Sequence, residues 1–413
     1  QITKWQQFGD NFISRDVMYK NDSKTYPDSE LVAEFYDELK PMIYLMKSFG
    51  LFPLQREKSD DSNFKRCKIT LLYSILFYMG MNVFASYELW KKIKSMGSVD
   101  TQFDELMFTV VRFMYVLPHF YMIPCHWIEV TKVGRYFTCW YEFQEHFQTV
   151  TGKPLYLGLR KRAVLSALIS PVIGVMYVLS ETFLVKSSQF DWEMCFYMYV
   201  MTMIMLHVTW WWLVCSALRG AISTYKLDFF KDQSMFEYES SAIKVAQYRT
   251  LWMRISRLSR DTGMFMCYSY GHLSVLAFTV TTLQLYGSLS NIHDGEYLKH
   301  TGLAVCVILS AAMIYITANC AHHATEEIGP EFNENLSCIC SSKKEVRREL
   351  KMFTQVLTTN SCVINLGGYV ALNRGFLLNF VSTMVTYLIV LLQFRLGILS
   401  LSPVSNSTTS SRY

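Results

Sequence analysis

Thr386-Tyr-Leu-Ile-Val-Leu-Leu-Gln-Phe394 sets a Thr-Tyr pair and a Gln-Phe pair on either side of five aliphatic residues, near the end of the last apolar run of the chain. A glutamine that deep in a lipid-spanning helix is costly unless it meets a partner or water. At helical spacing Thr386, Ile389 or Val390, and Gln393 fall on one face, and Tyr387, Leu391 and Phe394 on the neighbouring one. The first face is suited to line water and the second to pack. The competing reading of Gln393 is an interhelical hydrogen bond, worth about 0.6 kcal/mol on average in membranes.

The rest of the chain supports a membrane setting. Of its 413 residues 51% are hydrophobic and 18% charged, against roughly 25% charged in an average soluble protein. Seven long apolar stretches, at 69–90, 103–128, 163–185, 193–217, 264–287, 299–320 and 376–400, each reach the roughly 20 residues that a bilayer core requires. The expected fold class is an all-α membrane protein with seven transmembrane helices.

Lysine and arginine sit mainly on one side of these spans: 31 fall in 1–68, 129–162, 218–263 and 321–375, and 7 toward the opposite side, counting Arg395 near the outer end of the last span, with Arg112 inside the second span. Positive charge favours the cytoplasm, so the amino terminus is expected inside and the carboxyl terminus outside. This is the reverse of a G-protein-coupled receptor. The net charge of +5 is explained by this asymmetry, and no basic stripe with interleaved aromatics points to nucleic acid.

Gln1-Ile-Thr-Lys-Trp-Gln-Gln7 is polar, so no cleavable signal peptide is expected and the first span directs insertion; the missing initiator Met suggests a trimmed start. The eleven cysteines lie in predicted spans or predicted cytoplasmic segments, which argues against an extracellular disulfide framework. Cys338-Ile-Cys340 with His322-His323 matches no closed zinc spacing, and no metal or cofactor is expected. G-x-S-x-G, H-E-x-x-H and paired-carboxylate constellations are missing from the spans, which argues against a membrane enzyme with a catalytic site. No internal repeat suggests a secondary transporter.

Two inner segments have helical periodicity. Tyr248, Leu251, Trp252, Ile255 and Leu258 form an apolar stripe on a helix expected to continue toward the fifth span. Val346, Leu350, Phe353 and Leu357 repeat the pattern, with Lys343, Lys344, Arg347 and Arg348 crowding its start. Such a helix either lies on anionic lipid or packs with the first in a cytoplasmic assembly region. Gly367-Gly368 is read as a break ahead of the final span, since each glycine costs roughly 1 kcal/mol in a helix interior.

The motif at 386–394, near the end of a seven-span chain, resembles the signature of insect gustatory receptors. The wider block from Asn373 to Phe394, the run Tyr248-Arg-Thr-Leu-Trp252 with Leu258-Ser-Arg-Asp-Thr-Gly263, and Tyr286-Gly287 are similar to the carbon dioxide receptor branch of that family. The resemblance spans most of residues 240 to 394. It implies the insect chemoreceptor channel fold, with a cytoplasmic helical anchor region and four subunits around a pore made by the last helix. It also implies a chemosensory receptor subunit in the plasma membrane of a sensory neuron, gated by a small ligand and passing cations. Thr386, Tyr387, Val390, Gln393 and Phe394 are then the pore and gate residues; a ring of Gln393 dipoles would hydrate a cation without trapping it. The implied ligand is carbon dioxide or bicarbonate and the implied partners are related gustatory receptor subunits in a homo- or heterotetramer. A sugar or bitter tastant as ligand, or a modulatory subunit that does not conduct, is the alternative.

On this basis the chain divides into an inner segment 1–68, spans one to four in 69–217, an inner helical extension 218–263, spans five and six in 264–320, an inner helical segment 321–375, the pore helix 376–400 and an outer tail 401–413. The outer halves of spans two to six hold the candidate ligand pocket: Arg112, Phe113, Tyr115, Tyr177, Glu181, Tyr197, Tyr199, Thr282 and Tyr286, with Phe183 and Gln284 nearby. Arg112 and Glu181 are expected either to pair as a structural ion pair or to leave the arginine fork for a carboxylate-like ligand. His119, His126 and His207 are read as packed or hydrogen-bonded side chains. Asn406-Ser-Thr408 is a glycosylation sequon accessible from outside.

Overall fold

The computed structural model describes residues 34–56, 64–96, 103–186, 192–232, 241–293, 295, 297–339 and 341–401. Seven long helices dominate them: α2 (Lys68–Met96), α3 (Phe103–Thr151), α4 (Arg160–Ser180), α5 (Trp192–Asp232), α7 (Cys267–His293), α8 (Tyr297–Glu326) and α11 (Arg374–Leu401). Six of the seven, all but α3, are apolar and long enough to cross a membrane among the described residues. The apolar run of α3 is interrupted by Arg112, Pro118, His119, Pro124 and His126.

α5 is the central post. Of its apolar window 83% is buried inside the chain, against none of that of α11. Trp210 and Trp211 are fully buried, and the Trp211 indole donates to the Thr317 carbonyl of α8 at 3.0 Å. α4 lies against α5 where Gly174 meets Thr202; a Cβ there would stand 2.8 Å from the Thr202 backbone nitrogen. The absence of a side chain lets the two helices touch.

Several helices overrun the spans read from hydropathy. α3 and α5 continue unbroken well past 128 and 217, to Thr151 and Asp232. Their inner ends build a second core with α6 (Ser241–Met264), α9 (Gly329–Cys338) and α10 (Lys344–Thr359). Phe229 is the hub, with ring centroids 5.3 Å from Phe332, 5.3 Å from Tyr248 and 5.7 Å from Phe353. The stripe residues of both amphipathic helices are buried, and Arg249 pairs with Glu349 at 3.2 Å. α10 therefore uses its apolar face on protein, not lipid. α6 continues toward the fifth span and is parted from it by a two-residue turn: the helix ends at Met264 and α7 begins at Cys267.

Gly367 and Gly368 do interrupt the helical path, as a hairpin turn. β3 (Asn365–Leu366) pairs antiparallel with β4 (Val370–Ala371), and both glycines have left-handed φ, 59° and 82°, which side chains disfavour. The hairpin rests on the end of α6. Gly367 donates its N–H to the Gly263 carbonyl at 3.3 Å, and a Cβ on Gly263 would overlap the Asn365 backbone.

The amino-terminal helix α1 (Phe35–Ser48) is tucked into the bundle. Phe35 stacks on Trp140, centroids 4.4 Å apart, and Phe49, just beyond the helix, stacks on Tyr199 at 5.7 Å. Phe77 of α2 also touches Tyr199, nine residues and so about 14 Å along its helix. The chain then turns back through β1 (Leu54–Arg56), paired with β2 (Phe64–Arg66). Glu38 of α1 is buried and its carboxylate accepts the Leu159 N–H at the start of α4.

Candidate functional site

α11 packs along one face only. Phe376, Leu377, Phe380, Met384, Leu388, Leu391, Leu392 and Arg395 are buried or half-buried against α7 and α8. Asn379, Ser382, Thr383, Thr386, Val390 and Gln393 are exposed. At 100° per residue these six occupy the side opposite the packed one. A stripe of amide and hydroxyl groups on a lipid-length helix therefore points away from its own bundle. Thr383 and Thr386 return their hydroxyls to the Asn379 and Ser382 carbonyls, at 2.8 and 3.1 Å. Tyr387 and Phe394 flank the stripe; Tyr387 meets Phe278 of α7 edge-on at 5.8 Å.

The candidate pocket residues separate into groups. Tyr115 and Tyr177 share a hydrogen bond between their hydroxyls, and the Gln284 amide nitrogen donates to both at 2.6 Å. Ser310 closes the set, donating to the Gln284 carbonyl oxygen at 3.2 Å. All four are buried and they tie α3, α4, α7 and α8 together. Beside them lies a cleft of about 10 Å³ lined by Met107, Val111, Leu283, Gln284, Tyr286, Gly287 and Leu303. That is room for about one water.

Arg112 and Glu181 do pair, Nε to carboxylate at 3.6 Å. Glu181 opens a short π-helical segment, Glu181–Lys186, at the end of α4. Tyr197 lies within electrostatic reach of this pair and of buried Glu88. Tyr199 stands elsewhere, 3.3 Å from His119 Nδ1, and Thr282 bonds back to the Phe278 carbonyl of its own helix. Phe113 is half-buried and Phe183 exposed. Sequence reasoning missed Ser310 and Glu88: a serine and an end-of-span glutamate carry no periodic signal.

Long apolar helices around a buried polar cluster, with a last helix whose polar side the bundle leaves uncovered, define a multi-pass all-α membrane protein. The sequence profile described as 7tm Chemosensory receptor matches residues 39–398, and the chain belongs to that family. It is similar to Gustatory and odorant receptor 24 of Anopheles gambiae, 28% identical over 368 residues that cover 88% of this chain and 79% of the relative. Gustatory and odorant receptor 22 of the same mosquito is 28% identical over 395 residues, 92% of this chain and 84% of the relative. Gustatory and odorant receptor 21a of Drosophila melanogaster is 26% identical over 375 residues, covering 88% and 81%. In structure the chain resembles the insect olfactory receptor OR5 from Machilis hrabei in complex with eugenol, with a TM-score of 0.64 at 13% identity, over 86% of this chain and 97% of that one. It is an insect chemoreceptor in fold and family, and not an enzyme.

Proposed function

We propose that the chain is one subunit of a ligand-gated, non-selective cation channel, with α11 lining the pore and carbon dioxide as ligand in a heteromeric tetramer of related gustatory receptors. The observation that carries the channel reading is the polar stripe Asn379, Ser382, Thr386 and Gln393, on the side of α11 opposite its own bundle. In lipid such a stripe is costly; around a shared axis it lines water. The cleft at Gln284 has room for about one water, which is too little for a sugar. In this reading Arg112, paired with Glu181 and next in sequence to Val111 of the cleft lining, adds a cation for a polarised or anionic form of the ligand.

Whole-cell current in cells expressing the chain alone, and with a sister subunit, tests this during a carbon dioxide or bicarbonate step at fixed pH on both sides. A rapid cation current altered by Gln393→Ala supports the channel with α11 in its pore. Surface expression without current in either combination overturns the conducting role and leaves a modulatory subunit. For the pocket, Arg112→Gln is expected to shift the dose response to higher ligand; unchanged sensitivity at normal surface expression removes Arg112 from the site.

A further inference from the structure

Toward the inner ends of the apolar spans 103–128 of α3 and 193–217 of α5, beside the first turn of α7, lies a second polar cluster, away from the cleft. His126 of α3 and His207 of α5 face each other with their Nε2 atoms 2.9 Å apart, and both are fully buried. Each ring is held at its other nitrogen by its own helix: His126 Nδ1 lies 2.9 Å from the Met122 carbonyl and His207 Nδ1 2.7 Å from the Met203 carbonyl. Carbonyls only accept, so each Nδ1 carries a hydrogen. The contact between the two Nε2 atoms needs one more. Two neutral imidazoles hold two ring protons, whereas these three contacts require three. Without the third, two lone pairs confront each other inside the protein.

A negative partner stands close by. Ser269, in the first turn of α7, lies 3.3 Å from His126 Nδ1 and donates its hydroxyl to Glu129 Oε2 at 2.6 Å. Glu129 Oε1 accepts the Tyr268 N–H at 2.7 Å. With both oxygens facing donors and the side chain fully buried, a Glu129 carboxylate needs a compensating cation. Among the described residues, the other titratable and charged groups around the cluster include Cys125 and Lys132 of α3, Cys215 of α5, Cys267, Tyr268 and Tyr270 of α7, and Arg66 of β2, which donates to the Trp127 carbonyl. Lys132 is half-buried, with its amino group 4.8 Å from the Tyr268 ring centroid. Tyr270 donates to the His207 carbonyl at 2.8 Å.

We propose that His126 and His207 form a proton-binding site, in which one proton taken up from the cytoplasmic side is shared along the Nε2···Nε2 axis with Glu129 as counter-charge through Ser269. One N–H bond forms on one ring and the other ring accepts its hydrogen bond; nothing is oxidised or reduced. The bound proton fastens α3 to α5 and, through Ser269 and Tyr270, both to the foot of α7, the helix on which α11 packs. The site is independent of the ligand in the cleft.

The test uses the full chain in detergent. The thermal unfolding midpoint is followed from about pH 6 to about pH 8, the range in which an imidazole changes charge, for the wild type, His207→Gln, His126→Gln and, as a buried histidine outside the cluster, His119→Gln. A folded-state proton contributes stability that is present in acid and lost as pH rises, so the wild-type and H119Q midpoints fall with pH while H207Q and H126Q lose that slope. Infrared spectra of the wild type with ring-labelled histidine are expected to show, at about pH 6, an imidazolium band protected from rapid deuterium exchange, unlike that of exposed His272, and this measurement stands even where a glutamine variant does not fold. Coincident slopes for wild type and H207Q, or no exchange-protected imidazolium band in the folded wild type, overturns the proposal.

Discussion

Gln393 and Glu38 illustrate two ways in which one side chain is made expensive in this protein. Gln393 is exposed on the uncovered side of α11, where lipid would leave its amide unsatisfied. Replacing it with alanine is expected to leave folding and surface delivery intact while changing cation selectivity severalfold, read from reversal potentials under bi-ionic conditions. Glu38 is the opposite case, because burial pushes its carboxyl up from 4.5 despite the Leu159, Gly158 and Arg160 N–H groups that face it. A group that holds its proton more tightly folded than unfolded contributes stability below the ordinary carboxylate range, and that contribution is lost as pH rises through the shifted value. Glu38→Gln is therefore expected to flatten the acid side of the stability profile, gaining on the wild type toward neutral pH. Melting curves of the two proteins in detergent that run parallel from about pH 4 to 7 would count against it.

At the level of elements, the junction between α6, α7 and the hairpin before α11 depends on a missing side chain. Gly263 accepts the Gly367 N–H, and its Cα faces the Asn365 backbone with no space for a methyl group. Gly263→Ala has to push the β3–β4 hairpin off α6, a steric mechanism of the kind that costs more than about 3 kcal/mol. Gly271→Ala, four residues into α7, meets nothing within 4 Å and serves as the control. A large fall in folded yield or melting temperature for G263A, with little change for G271A, is the expected result. The periodicity of Tyr248 to Leu258 and of Val346 to Leu357 showed which faces of α6 and α10 are apolar. It left open what covers them, because lipid and protein satisfy an apolar stripe equally well. The aromatic cluster around Phe229 decides for protein, and its members are far apart in the chain.

For the whole molecule, the contrast between α5 and α11 is the main fact. One is largely buried by its own chain, and the other has no fully buried residue in its apolar window. Leu378, Val381, Val385 and Ile389 are also exposed along one flank of the polar stripe. An apolar flank beside a polar stripe suits a helix packed against a neighbouring subunit next to water. In the proposed tetramer, cysteine at Thr386 is expected to be reached by water-soluble thiol reagents and to form intersubunit disulfides under mild oxidation. Labelling by the water-soluble reagent at Val381→Cys on the apolar flank, but not at Thr386→Cys, would reverse the assignment of faces.

The sequence by itself determined the class: apolar runs of bilayer length, a lopsided distribution of lysine and arginine, and a polar motif at 386–394 are local features, set by the cost of placing charge and amide groups in lipid. It also singled out Arg112 and Glu181, since ionised groups in a bilayer need a partner, but left open whether that partner is each other or a ligand; the structure shows the pair. Tertiary structure alone decided which candidates meet. Tyr115, Tyr177, Gln284 and Ser310 come from four helices, His126 and His207 lie 81 residues apart, and α1 is folded into the bundle, not left beside it. Hydropathy gives the depth of a residue in the membrane. The rotation of each helix about its axis, which chooses its neighbours, follows from close packing between elements distant in sequence.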